Sequence, residues 1–109
     1  MHELGVAQAL LDIVTDACGG ARVRRVVVEV GRLTAVLPDA LRFCFDLAAQ
    51  DTPAEGATLE IIETPGRARC RVCRGELELD RPFGRCACGA TDLEWLAGEE
   101  LRVRALEVS

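Results

Sequence analysis

Histidine, lysine and aromatic residues are nearly missing from this chain of 109 residues. It has one histidine, no lysine and no tyrosine, and aromatic residues make up 4% of it. With a single imidazole, and no nucleophile and base at a spacing that suggests cooperation, the sequence gives little support for catalysis. So few aromatic side chains also argue against an aromatic stacking surface.

Long hydrophobic runs and excess positive charge are absent as well. No apolar run approaches the roughly 20 residues that span a bilayer. The net charge is -5 and the isoelectric point is near 4.9, which does not suggest a nonspecific phosphate-binding surface. The first residues form an acidic amphipathic segment and not a basic signal region. We therefore expect a cytoplasmic protein that binds neither membrane nor nucleic acid.

Cysteine, by contrast, is abundant, because the chain has six. In a reducing compartment, metal ligation is favoured over disulfides. Two cysteines, Cys18 and Cys44, lie on the apolar stripes of predicted helices and are expected to pack as small buried hydrophobes. The four others form a cluster in the sequence: Cys70, Cys73, Cys86 and Cys88.

Hydrophobic periodicity predicts two helices and three strands. Apolar residues recur at steps of three and four over residues 4–18 and 37–48, as in helices with one buried face. Gly19-Gly20 should end the first helix, and Pro38 suits the first turn of the second.

Runs with strand character cover residues 22–30, 58–63 and 101–108. In the first of them Val26, Val28 and Val30 share one face, which predicts a half-buried strand. A strand at the end of the chain is stable only in an existing sheet. We expect an α+β fold in which two helices pack on a small three-stranded sheet.

A separate lobe is predicted between Pro65 and Asp92, where hydrophobic periodicity fades while glycine, arginine and cysteine become frequent. This composition is typical of a segment organised around a metal and not around a core. The expected division is one domain of residues 1–65 plus 96–109 and a zinc-ribbon-like lobe of residues 66–95 inserted into it. The aromatic residues Phe43, Phe45, Phe83 and Trp95 are expected to pack in the core or the lobe.

The first cysteine pair has the spacing of a metal knuckle. Two residues separate Cys70 from Cys73, so a tight turn can direct both sulfurs at one ion, and we expect Gly75 to relax that turn. Four thiolates about 2.3 Å from one ion would make a closed tetrahedral Zn²⁺ site with a structural role. A redox pair at Cys70 and Cys73, or a set of disulfides, remains the alternative.

The second cysteine pair is more closely spaced. Only Ala87 separates Cys86 from Cys88, and such neighbours would point to opposite faces of an extended strand. This pair therefore needs a turn, which Gly84 and Gly89 are placed to allow.

The single histidine follows the first residue of the chain. His2 is either a solvated side chain that leads a helix or a ligand beside the free amine of Met1. A terminal amine, a backbone nitrogen and an imidazole can form fused chelate rings, and this nitrogen-rich geometry suits Ni²⁺ or Cu²⁺. We expect Met1 to be retained because a bulky second residue usually blocks its removal.

Several stretches together resemble one known family, the hydrogenase-maturation nickel metallochaperones HypA and HybF, over essentially the whole chain. Besides the cysteine pairs, the matching stretches are Met1-His2-Glu3-Leu4, Glu29-Val30-Gly31, Ala40-Leu41-Arg42-Phe43, Glu100-Leu101-Arg102-Val103 and Glu107-Val108. The second cysteine pair departs from the family pattern, which has two residues between the cysteines.

The resemblance implies a nickel-binding domain with a zinc domain inserted into it. It implies that His2 and the terminal amine bind Ni²⁺ as cargo, with Glu3 adjoining, and that the four clustered cysteines bind Zn²⁺. It further implies delivery to a hydrogenase large subunit together with a nickel-insertion maturation GTPase, and no enzymatic activity. The resemblance is also compatible with a homodimer.

An adaptor of the zinc-ribbon type, binding protein or nucleic acid, is the alternative from another functional class. Its contact face would be a cluster of six arginines in the lobe: Arg67, Arg69, Arg71, Arg74, Arg81 and Arg85. The same arginines could instead soften the repulsion among four thiolates.

Overall fold

The computed structural model describes residues 3–109, so the predictions for Met1 and His2 lie outside the described residues. The helices are α1 (Glu3–Ala17) and α2 (Pro38–Ala48), and a short 3₁₀ turn covers Arg32–Thr34. The strands are β1 (Val23–Gly31), β2 (Thr58–Thr64), β3 (Gly66–Cys70), β4 (Glu76–Leu79), β5 (Leu93–Ala97) and β6 (Leu101–Val108). The α+β class is confirmed, and no helix among residues 3–109 is long and apolar enough to cross a bilayer.

Two compact units share the chain. Unit 1 comprises residues 1–29, 36–62 and 102–109, of which residues 3 onward are described, and unit 2 comprises residues 30–35 and 63–101. Unit 1 contains both helices, whereas unit 2 contains β3, β4 and β5.

Helix α1 packs against α2 in unit 1. Its predicted end is confirmed, because Gly19 and Gly20 follow it with φ of 61° and 84°. Helix α2 begins at Pro38, whose fixed φ suits a first helical position. The buried face of α2 centres on Leu41 and Phe45, which are both fully buried.

The first sheet has the strand order β2-β1-β6, so the predicted pairing of three strands is confirmed. Along β1, Val26, Val28 and Val30 are buried, as their alternation predicts. Glu29 on the other face is also buried, and its carboxylate pairs with the Arg102 guanidinium at 2.8 Å and with that of Arg104 at 3.4 Å. The paired charges make the burial of this glutamate tolerable.

Unit 2 has a sheet and a small core of its own, which the sequence did not predict. The strand order is β4-β3-β5, and β3 is antiparallel to both neighbours. Leu33, Ala68 and Leu79 are buried together, with Leu77 and Leu93 packed against them. The expectation of a lobe without a core was wrong, because leucines from the 3₁₀ turn, β4 and β5, which are far apart in sequence, meet only after unit 2 folds.

Gly31, at the end of β1, lies where another segment of unit 2 passes very close. The Gly31 N–H donates to the Glu100 carbonyl at 2.7 Å, and the Leu33 N–H donates to the Gly98 carbonyl at 2.9 Å. A Cβ on Gly31 would overlap the Gly98 carbonyl group. The position therefore needs glycine for space, since its φ of -73° is one that any residue can adopt.

The expectation that the aromatic residues pack inside was right for Phe45 and wrong for the other three. Phe43 is 65% exposed, Phe83 69% and Trp95 38%. Phe43 is two residues from Phe45 on α2, about 200° around the helix, so the two cannot share a buried face. In unit 2, leucines fill the core and leave Phe83 and Trp95 at the surface.

The burial expected for cysteines outside the cluster was right for one of the two. Cys18 is buried just after α1, and its thiol donates to the Thr15 carbonyl at 3.3 Å. Cys44 on α2 is only half-buried.

Candidate metal centre

The first half of the cysteine cluster is a turn at the end of β3. Cys70 is the last residue of that strand, and the N–H groups of Val72 and Cys73 point at its sulfur at 3.4 and 3.5 Å. The Arg74 N–H closes the turn on the Cys70 carbonyl at 2.9 Å. Backbone dipoles thus converge on a sulfur, an arrangement that stabilises a thiolate.

Gly75 has a different role from the one expected of it. Arg74 takes the left-handed conformation, with φ of 68°, and Gly75 does not. The Gly75 N–H instead points at the Cys73 sulfur at 3.4 Å, and a Cβ on Gly75 would lie 3.4 Å from the same atom. The glycine is therefore placed against a sulfur, and arginine bears the strained backbone.

The second half of the cluster is a turn over residues 86–89. The Gly89 N–H donates to the Cys86 carbonyl at 2.8 Å, and the Cys86 N–H donates to the Ala90 carbonyl at 2.9 Å. Gly89 has φ of 93°, as the prediction of a glycine-dependent turn requires. The turn takes Cys86 and Cys88 out of an extended path, so both sulfurs reach the first pair despite the single intervening residue.

The four sulfurs form one compact group. Cys70 Sγ lies 3.6 Å from Cys88 Sγ, Cys73 Sγ lies 3.6 Å from Cys86 Sγ, and all four atoms are within 4.8 Å of one another. A tetrahedron with metal–sulfur bonds of about 2.3 Å has edges of about 3.8 Å. A disulfide would need about 2.05 Å, so these thiols are free.

The four thiols are electrostatically unequal. Backbone N–H groups, first that of Cys73, lower the pKa of Cys70 to about 6 against the opposing effect of burial. At Cys88 the Ala90 N–H favours the thiolate, but the Cys70 thiol, burial and the other cluster thiols together outweigh it and raise its pKa to about 11. The backbone of the first turn thus favours a thiolate at Cys70, whereas the neighbouring thiols and burial disfavour one at Cys88.

The four cysteines can supply all the ligands of a tetrahedral metal ion, without a residue of another type. Among residues 3–109, the only group of three or more potential metal ligands from histidine, cysteine, aspartate and glutamate is this one. Two sulfurs are buried, at Cys70 and Cys86, and two are exposed, at Cys73 and Cys88. Four sulfurs at tetrahedral spacing fit Zn²⁺ and leave no coordination position for a substrate.

A pair of contacts outside the cysteines links the two halves of the cluster. The Arg71 N–H donates to the Asp92 carbonyl at 3.0 Å, and the Arg71 guanidinium lies 3.2 Å from the Asp92 carboxylate. Sequence reasoning missed this link. No spacing rule relates these two positions, so only the folded structure could reveal it.

Half of the predicted arginine face is paired with carboxylates, namely Arg67, Arg69 and Arg71. Arg67 and Arg69 both pair with Glu76, at 2.8 and 3.5 Å, and the Arg67 guanidinium is the main cause that lowers the pKa of that carboxyl. The neutralisation removes much of the charge that a nucleic-acid surface would need.

Glu3 is the only residue of the predicted amino-terminal site that lies within the described part of the chain. Its carboxylate accepts a hydrogen bond from the Leu37 N–H at 3.2 Å, just before α2. The first turn of α1 is thus tied to the start of α2.

Comparison with known proteins identifies the chain. The family model described as "Hydrogenase/urease nickel incorporation, metallochaperone, hypA" matches residues 1–108. The chain belongs to this HypA family of nickel metallochaperones. It is 53% identical over 108 residues to a hydrogenase maturation factor HypA of Nostoc punctiforme and 51% identical to that of Trichormus variabilis. Each alignment covers 99% of this chain and 96% of the relative.

The fold agrees with that of a solved family member. The solution structure of the Ni metallochaperone HypA from Helicobacter pylori matches with a TM-score of 0.69 at 23% identity, covering 99% of this chain and 97% of that one. The chain is therefore a nickel metallochaperone of the HypA family with a four-cysteine metal centre.

Proposed function

We propose that this metallochaperone binds Ni²⁺ through the Met1 amine, the His2 imidazole and a backbone nitrogen, and delivers it for the maturation of a [NiFe] hydrogenase in the cytoplasm. The observation that carries the proposal is the family match, which includes the amino terminus. His2 is also the only histidine in the chain, so no other imidazole competes for the metal.

The proposed receiving partners are a hydrogenase large subunit and a maturation GTPase. The names of the relatives, hydrogenase maturation factors, support this client class. In this proposal, the domain of residues 1–65 and 96–109 binds nickel, and the domain of residues 66–95 binds zinc.

We propose that Glu3 positions the nickel ligands and does not itself bind the metal. Its carboxylate already accepts the Leu37 N–H. A Glu3→Gln variant keeps a carbonyl oxygen for this hydrogen bond and removes the charge, whereas Glu3→Ala removes both. If Glu3 only positions the ligands, we expect the Glu3→Gln variant to retain nickel affinity and the Glu3→Ala variant to lose some of it. Equal losses in both variants would instead assign the carboxylate to the metal.

The four clustered cysteines are proposed to hold one structural Zn²⁺. Support comes from the all-sulfur donor set, the tetrahedral spacing of the sulfurs and the lack of an open position. When bound, the ion would cross-link the two cysteine turns. Elemental analysis of freshly reduced protein is expected to give one zinc per chain, and substoichiometric zinc would contradict the proposal.

A calorimetric titration with Ni²⁺, carried out while zinc stays bound, tests the amino-terminal site. Three proteins are compared: the native chain, His2→Ala, and a chain with one residue added before Met1. Both changes should lower nickel affinity strongly, because one removes the imidazole and the other moves the free amine. Gln8→Ala, an exposed change further along α1, is the control. Unchanged affinity in both altered proteins would refute the site.

Ni²⁺ transfer to the proposed client is a separate measurement. Nickel-loaded native protein, mixed with a nickel-free hydrogenase large subunit and the GTPase, should lose its nickel to the subunit, and the His2→Ala protein should transfer little. Transfer at equal rates from both proteins would show that the transferred Ni²⁺ is bound at another site on the chain.

A further inference from the structure

A groove lies on unit 2 between the loop of residues 82–85 and strand β5. Its volume is about 440 Å³, within the range of roughly 300–1,000 Å³ that is typical of small-molecule pockets. The groove is lined on one side by Pro82, Phe83 and Arg85 and on the other by Leu93 and Trp95. All of these residues belong to unit 2.

Two of the four aromatic residues in the chain are at this groove. The Phe83 ring is mostly exposed and the Trp95 ring is partly exposed. The guanidinium carbon of Arg81 lies 5.6 Å from the centre of the Phe83 ring, a distance that allows a cation–π contact. In a chain this poor in aromatics, two such rings left at one surface suggest a contact with another molecule.

The walls of the groove are fixed by the small core of unit 2. A Cβ on Gly84 would lie only 2.6 Å from Cδ2 of Leu79, so the loop backbone rests directly on that buried leucine. On the opposite wall, Leu93 packs against the same core. The groove is therefore part of the folded unit and needs little rearrangement to accept a ligand.

The charge at the groove is positive and uncompensated. The acidic residues nearest in sequence pair with arginines elsewhere: Asp80 with Arg32, Asp92 with Arg71 and Glu94 with Arg69.

Within residues 3–109, no carboxylate forms an ion pair with Arg81 or Arg85. The Arg85 guanidinium instead donates to the Gly89 carbonyl at 2.7 Å. An apolar floor beside two unpaired cations is complementary to an acidic segment that contains an apolar side chain.

We propose that this groove docks an acidic segment of a partner protein. One aromatic or aliphatic side chain of the segment enters between Phe83 and Trp95, and its carboxylates pair with Arg81 and Arg85. Arginine suits this role because its planar fork accommodates a carboxylate while its face stacks on an aromatic ring. The proposal is independent of nickel binding at the amino terminus, since it uses only residues of unit 2.

Trp95 is a natural probe of the groove because it is the only tryptophan in the chain, which has no tyrosine. The full-length, zinc-loaded protein is titrated with a short synthetic peptide in which one phenylalanine lies among glutamates and aspartates. Binding should shift Trp95 emission to the blue and protect it from iodide. Two other peptides serve as comparisons, one with lysines in place of all the acids and one with serine in place of the phenylalanine; both should bind at least several-fold more weakly.

Arg81→Glu is the decisive variant, because Arg81 is not adjacent to a cysteine of the cluster. We expect it to weaken binding of the acidic peptide roughly tenfold, since an attraction becomes a repulsion. Arg24→Glu makes the same charge change on an exposed residue of unit 1 and should leave binding unchanged. The zinc content of each variant, measured in parallel, shows that unit 2 stays intact. Raising the salt concentration should weaken binding further.

Several results would overturn the proposal. Trp95 emission that does not respond to the acidic peptide up to about millimolar concentration, close to the weakest useful affinity, would do so. So would equal binding of the lysine peptide, or equal weakening by Arg81→Glu and Arg24→Glu. Emission that changes with protein concentration alone, together with a dimer in sedimentation, would assign the groove to a second copy of the chain. Displacement of the peptide by a single-stranded RNA would assign it to nucleic acid.

Discussion

Withdrawal of Zn²⁺ is expected to unfold unit 2 while the helices of unit 1 persist. The large aliphatic residues buried in unit 2 are Val30, Leu33 and Leu79. At about 1.5–3 kcal/mol each, their burial contributes only about 5–9 kcal/mol. A structural zinc site, with an apparent binding free energy of about 10–16 kcal/mol, is the larger contribution.

The size of the effect follows from linkage between folding and metal binding. If one Zn²⁺ binds only the folded unit, free zinc at 100 times its Kd stabilises that unit by about 2.7 kcal/mol, and at 1,000 times by about 4.1 kcal/mol. Each tenfold change in free zinc therefore changes the free energy of unfolding by about 1.4 kcal/mol. This slope depends on the number of ions bound and not on the value of Kd.

Two signals separate the units in a urea titration at buffered free zinc. Trp95 emission reports on unit 2, and helical circular dichroism reports on unit 1, which contains both helices. The Trp95 transition should shift with free zinc by the slope given above, while the helical transition stays in place. Cys73→Ser should abolish the zinc dependence, and Cys44→Ser, outside the cluster, should preserve it. A Trp95 transition insensitive to zinc would refute the reasoning, and parallel shifts of both signals would show that the units unfold together.

Three further predictions concern single side chains and pH. Phe45→Ala should lower the free energy of unfolding by about 3–5 kcal/mol in chemical denaturation, because Phe45 is fully buried, whereas exposed Phe43→Ala should change it by less than about 0.5 kcal/mol. Gly31→Ala should lower the melting temperature and the soluble yield, because its Cβ would overlap the Gly98 carbonyl; an unchanged melting temperature would contradict this close approach. The raised pKa of Cys88, about 11, means that zinc displaces a proton there at neutral pH, so zinc affinity in a chelator competition should fall by at least about tenfold per unit decrease in pH. An affinity independent of pH would contradict this.

Much of the fold could be predicted because its signals are local. The Val26, Val28 and Val30 alternation predicted a strand with one buried face, and the structure buries all three, although Val27 and Glu29 on the other face are buried too. The glycine pair after α1 and Pro38 at the start of α2 predicted helix ends to within about a residue. Such patterns depend on backbone geometry repeated every two or every 3.6 residues, so a short window of sequence contains them.

The candidate site was predicted in composition but not in geometry. The spacing of Cys70 and Cys73 predicted one turn, yet it could not show that Arg74 and not Gly75 takes the left-handed conformation. Nor could it show that a turn at Gly89 lets a pair with one intervening residue contribute both sulfurs to the cluster. Cysteine spacing restricts which residues can meet, whereas the positions of sulfur atoms depend on backbone torsions that several sequences can adopt.

The sequence by itself determined the class of the fold, the order of the main helices and strands, the four cysteines of the cluster and, by resemblance, the family. Only the tertiary structure decided that Gly31 must accommodate the Gly98 segment, that Arg71 joins Asp92, and that Phe83 and Trp95 stay at the surface beside unpaired arginines. These features are contacts between positions far apart in the chain. They depend on which side chains are used by the core and by ion pairs and which are left for other contacts. No local sequence pattern contains that information.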